Sequence, residues 1–230
     1  MKNIFKILFV SVFVFTSCGD DEVSPPTTGG GGGPDLAASA GYTLTFETTF
    51  DEETYPIDYP SNATFGPIVA IVHSPEVTIY QNGQLASEGL KAYAEDGDVG
   101  ALAAFLTSDL GEEGDALFSI TTATASGAVS STTINVTGTP TRTRITFLAK
   151  LNPSPDWFMG VSSFDIIDGN SLVELAEFNL TPIDAGTDAG NTYSAENEVE
   201  SVPIANYEGS PFGQGPFFPN PGTLTIERNN

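Results

Sequence analysis

Residues 151–190 join a rigid corner to two apolar runs and a loop rich in aspartate and glycine. Pro153 and Pro155 restrict the backbone on either side of Ser154, directly before Asp156. We therefore expect the Asp156 carboxylate on a stiff, exposed corner that leads into a strand.

The loop at residues 184–190 reads Asp-Ala-Gly-Thr-Asp-Ala-Gly. We expect Gly186 and Gly190 to adopt positive φ, so that the backbone curls back after Asp184 and again after Asp188. Such curling brings two carboxylates to one point, and hard divalent cations favour clustered oxygen ligands. Asp and Gly also dominate ordinary turns, so the pattern alone leaves a plain turn open. The loop is not an EF-hand, because Ala195 stands where the bidentate glutamate belongs.

The block Pro-Ser-Pro-Asp-Trp-Phe-Met-Gly-Val at residues 153–161, followed by the loop at 184–190, resembles the spondin domain of animal extracellular-matrix proteins. The resemblance extends over residues 41–228. It implies an all-β fold, a C2-like antiparallel β-sandwich with one or two short helices. It also implies a bound Ca²⁺, or another divalent cation. Carried over residue by residue, the metal ligands are Asp156, Asp184 and Asp188.

The rest of this segment fits the same class. Short apolar or alternating runs predict strands, and two stretches predict short helices at one end of the sandwich, the second capped by Asp98. We expect the Phe- and Pro-rich loop at 211–221 to pack over one mouth. The predicted helices span residues 86–97 and 98–110, and the predicted strands span 42–46, 65–72, 77–80, 116–120, 131–136, 144–151, 158–165, 171–180 and 222–227.

The first 17 residues are typical of a secretory signal. Two lysines precede a short apolar run, and Cys18 follows small residues in the manner of a bacterial lipobox, although Phe15 replaces the usual leucine. The run is too short to span a membrane. We predict that Cys18 is lipidated after cleavage; an ordinary cleaved signal with an incidental free cysteine is the alternative. Because Cys18 is the only cysteine, no disulfide can form.

Residues 18–40 predict a tether. An acidic run directly after Cys18 resembles the surface-export signal of Bacteroidetes lipoproteins. A solvated acidic linker would have the same sequence pattern. Five consecutive glycines at 29–33 and the surrounding Pro, Thr and Ser cannot form a core. The predicted location is the cell surface or the periplasmic face of the outer membrane.

The chain carries 30 acidic and 7 basic residues, for a formal net charge of −23. A polyanion of this kind excludes nucleic acid as a partner, because nucleic-acid binding requires a basic surface. Anionic headgroups are repelled as well, so membrane attachment is expected only through the lipid on Cys18. Asp165 and Asp168 are further candidates for cation binding.

These features predict a binding or adhesion module rather than an enzyme, with an extracellular glycan or a matrix or surface protein as partner. A glycoside hydrolase with paired carboxylates is the enzymatic alternative, and a purely structural surface lipoprotein is the third. Trp157 is expected in the core because of the area that an indole buries. His73, the only histidine, is expected to be structural, since no catalytic triad can be assembled around it.

Overall fold

The computed structural model describes residues 38–110, 117–213 and 220–229. Its first sheet has four antiparallel strands, and alternate residues of the first strand, such as Leu44 and Phe46, are buried. One face of this sheet therefore meets the core and the other meets solvent, as the alternating sequence predicts. In sheet order the strands are β4 (Val129–Gly138), β1 (Ala40–Thr49), β12 (Gly222–Arg228) and β9 (Leu175–Leu180).

The second sheet has six antiparallel strands, and its central strands are buried on both faces. Their nearly continuous apolar sequences are typical of such positions. In sheet order they are β11 (Ala205–Asn206), β10 (Pro182–Asp184), β6 (Trp157–Asp165), β5 (Arg144–Asn152), β2 (Thr64–His73) and β3 (Phe118–Ala123). A separate hairpin pairs β7 (Ile167–Asp168) with β8 (Ser171–Leu172).

The main core lies between the two sheets. The Phe46 ring of β1 lies 5.5 Å from that of Phe65 and 5.2 Å from that of Phe147, between ring centroids. Residues from both sheets share this apolar cluster. The fold is thus the predicted all-β antiparallel sandwich with two short helices.

The two helices, α1 (Glu88–Asp96) and α2 (Val99–Leu110), form where they were predicted. Ser87 caps the first helix by accepting the N–H of Leu90 at 3.1 Å, and Asp98 accepts the N–H of Ala101 at 2.8 Å. Among the described residues, neither helix is long and apolar enough to cross a membrane.

The predicted position of the helices, at one end of the sandwich, is wrong. Leu90 of α1 and Leu102 of α2 pack instead on the outer face of the six-stranded sheet, in one cluster with Val69 and Ile71 of β2. The physical reason is that β2 is apolar on both faces, so its outer face requires a cover.

Two strand predictions also need correction. Residues 77–80 form no strand; Val77, Ile79 and Tyr80 are buried, but against the outer cluster. Their alternation reflected burial, not sheet pairing. Residues 171–180, predicted as one strand, are divided between β8 and β9.

Aromatic residues fill the end of the sandwich beyond β1. Phe50 lies 5.9 Å from Phe212 and 6.0 Å from Tyr193, and Trp157 lies 5.3 Å from Phe212, between ring centroids. The described part of the predicted 211–221 loop thus packs against this end through Phe212. Residues 214–219 of that loop lie outside the described residues.

Candidate metal centre

Asp156 joins the two sequence blocks. Its side chain is fully buried rather than exposed on a corner, and Oδ2 accepts the backbone N–H groups of Thr187 at 2.7 Å and Asp188 at 3.2 Å. The Thr187 hydroxyl donates to the same oxygen at 3.2 Å. The corner before β6 is therefore fastened directly to the loop after β10, and the predicted exposure of Asp156 is wrong because this loop covers it.

Glycine permits the shape of that loop in two different ways. Gly186 adopts φ of 71°, and a Cβ there would lie 2.1 Å from the carbonyl oxygen of Val202. Gly190 is not among the positive-φ glycines of the described residues, so its predicted conformation is wrong. A Cβ at Gly190 would instead lie 2.8 Å from Pro155 and 2.7 Å from Ala195. Close packing, not backbone conformation, requires that glycine.

A second segment holds the loop from outside. Backbone N–H groups of Glu200 and Val202 donate to the carbonyls of Thr187 at 2.9 Å and Gly186 at 3.0 Å. Asp188 Oδ1 accepts the N–H of Glu198 at 3.2 Å. Residues 198–202 thus run alongside the loop and fix its backbone on the side away from Asp156.

Asp184 and Asp188 each close a local turn. Asp184 Oδ1 accepts the N–H of Gly186 at 2.7 Å, and Asp188 Oδ1 accepts the N–H of Gly190 at 2.8 Å. Asp188 is buried, while Asp184 is partly exposed. The loop therefore curls after each aspartate, as predicted.

The electrostatics of the site penalise the ionised carboxylates. Burial raises the pKa of Asp156, against the lowering effect of the hydrogen bonds from Thr187 and Asp188. Burial, and after it the neighbouring Asp156 carboxylate, raise the pKa of Asp184 to about 6. An excess of buried negative charge with raised pKa values is the environment that a cation relieves.

One cation of the chain is already buried near these carboxylates. Lys150 of β5 is 2% exposed, and its Nζ donates to the carbonyls of Ala94 in α1 and Ser154 in the proline corner. Burial lowers the pKa of Lys150 to about 8, with Asp156 the largest opposing influence. Lys150 forms no direct ion pair among the described residues. Its positive charge partly offsets the negative charge of the carboxylates without a direct ion pair. Its hydrogen bonds connect the proline corner to α1.

Buried Asp156 Oδ1 accepts no hydrogen bond from the described residues. A buried carboxylate oxygen without a donor is the kind of group that coordinates a cation. Among those same residues no three His, Cys, Asp or Glu side chains are already arranged as a metal cluster. The donor set fits a hard cation in its chemistry, and binding would require Asp184 and Asp188 to turn oxygens toward Asp156. The metal assignment stays a prediction.

The other candidate residues lie elsewhere. Asp165, at the far end of β6 from Asp156, forms an ion pair with Arg144 at 3.0 Å, and Asp168 is exposed in the β7–β8 hairpin. Trp157 is fully buried, as predicted. His73 is buried between the Ser74 carbonyl and the Thr146 hydroxyl, both at 2.9 Å, consistent with its predicted structural role. Cys18 lies outside the described residues.

Sequence reasoning missed Lys150 and the segment at 198–202. A lysine inside the otherwise apolar run of β5, six residues before Asp156, was an available signal for a buried charge. The segment at 198–202 gave no such signal, because two valines within five residues are too short a pattern to indicate a strand.

The sequence matches the Spondin_N family model over residues 40–209. It is 32% identical to human Spondin-2 over 167 residues, which cover 70% of this chain and 49% of the human protein. It is 31% identical to rat Spondin-1 over 200 residues, covering 81% of this chain and 24% of the rat protein. The chain thus spans about half the length of the first relative and a quarter of the second. Strand β12 lies beyond the family match, although it pairs with β1 at the centre of the four-stranded sheet.

Proposed function

The chain belongs to the Spondin_N family, and from this premise we propose that it is a lipid-anchored adhesion module that binds a partner outside the cell. The partner class is an extracellular glycan or a matrix or surface protein. A divalent cation, Ca²⁺ in the first instance, stabilises the end of the sandwich that carries Asp156. Attachment to the membrane is through the predicted lipid on Cys18.

The observation that carries the metal proposal is the buried, unpartnered Oδ1 of Asp156, close to two further carboxylates. Asp156, Asp184 and Asp188 would hold the ion, and the ion would supply positive charge where burial disfavours negative charge. Its role is structural: it would join the corner before β6 to the loop after β10 and so fix the surface around both.

The burial of Asp156 argues against a hydrolytic role for this carboxylate. A hydrolytic carboxylate must reach the scissile bond of a sugar, and Asp156 is fully covered by the loop. The proposal therefore assigns these carboxylates to cation binding and assigns no catalytic residue.

Thermal unfolding with calcium and with EDTA tests the proposal. An ion that binds only the folded state at a hundredfold excess over Kd stabilises it by about 2.7 kcal/mol. For a domain of this size we expect a rise in Tm of roughly 5–10 °C. The double variant Asp184→Asn, Asp188→Asn should lose most of this rise while retaining the metal-free fold.

The matched control removes two carboxylates far from the site, Asp168→Asn with Glu177→Gln, both exposed. This control should keep the full calcium response. A calcium response that survives in the Asp184, Asp188 double variant would overturn the metal proposal, because screening of the −23 net charge would then explain it.

A further inference from the structure

A groove of about 580 Å³ lies on the outer face of the six-stranded sheet, away from the two helices. One wall is the irregular segment at residues 75–82, and the floor is β6 at Gly160 and Ser162. The helices and residues 77–80 cover most of this face, and the groove remains where Gly160 and Ser162 carry no large side chain. Its size falls within the range of about 300–1,000 Å³ that small-ligand sites occupy.

The lining of the groove differs in charge from the protein as a whole. Among the described residues that line it there is no Asp or Glu, although the chain carries 30 acidic residues, and Arg144 is the only charged one. The Arg144 guanidinium is already engaged by Asp165 at 3.0 Å and by the carbonyl of Ser163 at 3.2 Å. The described lining therefore offers no carboxylate to a cation, and its one guanidinium already has a carboxylate partner in Asp165. Its chemistry suits an uncharged ligand.

Amides and hydroxyls supply the polar groups of the lining. Gln81 and Asn82 are exposed on the wall, and Asn206 of β11 faces them. Asn82 Nδ2 donates to Asn206 Oδ1 at 3.0 Å, which fixes both side chains. This bond uses one donor of Asn82 and one acceptor of Asn206, so each amide keeps further donor and acceptor capacity. Fixed amides of this kind match the paired donor and acceptor character of sugar hydroxyls.

The groove also has apolar surface. Val77, Tyr80 and Ile183 contribute to it, and Tyr80 is held edge-on against Phe158 at 5.2 Å between ring centroids. A pyranose ring presents C–H groups between its hydroxyls, so a mixed apolar and amide lining fits it. The floor strand β6 is already paired with β5 and β10, so the floor offers no open strand edge for a peptide to join.

We propose that this groove binds a neutral oligosaccharide. The inference deepens the adhesive role proposed above and rests on it for the location of the domain outside the cell. It does not depend on the metal, because none of Asp156, Asp184 and Asp188 lines the groove.

The test is an array of uncharged oligosaccharides built from hexoses and N-acetylhexosamines, probed with the full chain in detergent, with calcium and with EDTA. Affinity for the sugar that binds best is then measured by calorimetry. Gln81→Ala and Asn206→Ala should each weaken binding by about tenfold. Ser162→Tyr, which fills the groove from an exposed position, should abolish it. Asn170→Ala, which removes an exposed amide in the β7–β8 hairpin, should change nothing.

Each outcome separates the groove from the metal centre. Binding that survives EDTA and the Asp184→Asn, Asp188→Asn variant, but not Ser162→Tyr, supports the inference. Binding lost with calcium and unaffected by the groove variants would place the ligand at the metal centre and overturn the inference, with the proposed adhesive role intact. Absence of any neutral sugar ligand, or capture of charged glycans or peptides alone, would overturn it as well.

Discussion

The backbone N–H of Thr187 donates to Asp156 Oδ2 at 2.7 Å, across 31 residues of chain. This bond joins the corner that leads into β6 to the loop that follows β10, at the same end of these two neighbouring strands. The Asp156 carboxylate thus acts as the acceptor around which the candidate metal centre is built, with or without an ion.

Replacement of Asp156 with alanine should destabilise the protein even in EDTA. The backbone N–H groups of Thr187 and Asp188 would lose their shared acceptor inside a buried region, and the buried Lys150 ammonium would lose the carboxylate that favours its charged form most. We expect the free energy of unfolding to fall by about 2–5 kcal/mol, measured by urea titration. Asp165→Ala breaks a partly exposed ion pair and should cost about 1 kcal/mol or less. Equal effects of the two variants would contradict the central role of Asp156.

Lys150→Met should alter how stability depends on pH. The pKa of Lys150 is lowered to about 8 in the folded protein from an ordinary value of 10.5. Between these values the unfolded lysine holds a proton that the folded one has lost, so this residue makes stability rise with pH. The unfolding free energy of the natural chain minus that of Lys150→Met should therefore increase from about pH 8 to about pH 10.5.

Urea unfolding at several pH values between 7 and 10.5 measures this difference. Lys91→Met is the matched control, because Lys91 is partly exposed beside Glu95 at 3.9 Å and its loss changes the net charge equally. If the same difference for Lys91→Met rises by as much, the trend is caused by net charge and not by the burial of Lys150.

Gly186→Ala should disrupt the loop by collision as well as by strain. The new Cβ would lie 2.1 Å from the carbonyl oxygen of Val202, at φ of 71°. Gly169, in the β7–β8 hairpin, has φ of 59° with open space around its Cβ position. Gly169→Ala should therefore lose only about 1–2 kcal/mol from backbone strain, and Gly186→Ala clearly more. Hydrogen exchange of the Val202 amide reports the opening directly. Unchanged protection in Gly186→Ala would refute the described packing.

Cys18→Ala should release the protein from the membrane fraction. Mass spectrometry of the membrane-extracted natural chain should show a diacylglycerol group on Cys18 at the new N-terminus. Retention of Cys18→Ala in the membrane fraction would refute the lipid anchor, and a soluble natural chain with an unmodified Cys18 would do the same.

Sequence patterns predicted the sandwich well where periodicity and burial coincide. The alternation at residues 42–46 and the apolar run at 65–72 gave β1 and β2 because sheet faces impose those patterns. Residues 77–80 show the same alternation, yet they cover the sheet instead of joining it. Alternation indicates which side chains are buried, but it does not indicate whether the segment pairs with a neighbouring strand.

The meeting of the two aspartate-bearing motifs could be predicted from the sequence, but the residues that support them could not. Asp156, Asp184 and Asp188 follow from two motifs, and the contact of Asp156 with Thr187 confirms that the motifs meet. The pairing of residues 198–202 with the loop is a tertiary contact without a local signature. The role of Gly190 depends on Pro155 and Ala195, which only the folded chain brings near it.

The direction of β1 has a consequence for the whole domain. The strand enters at Ala40 beside Gly138, and it ends at Thr49 next to Phe50 and the aromatic residues that surround Trp157. Ten residues of strand span about 33 Å, so the entry of the chain and the Asp156 centre lie at opposite poles of the sandwich.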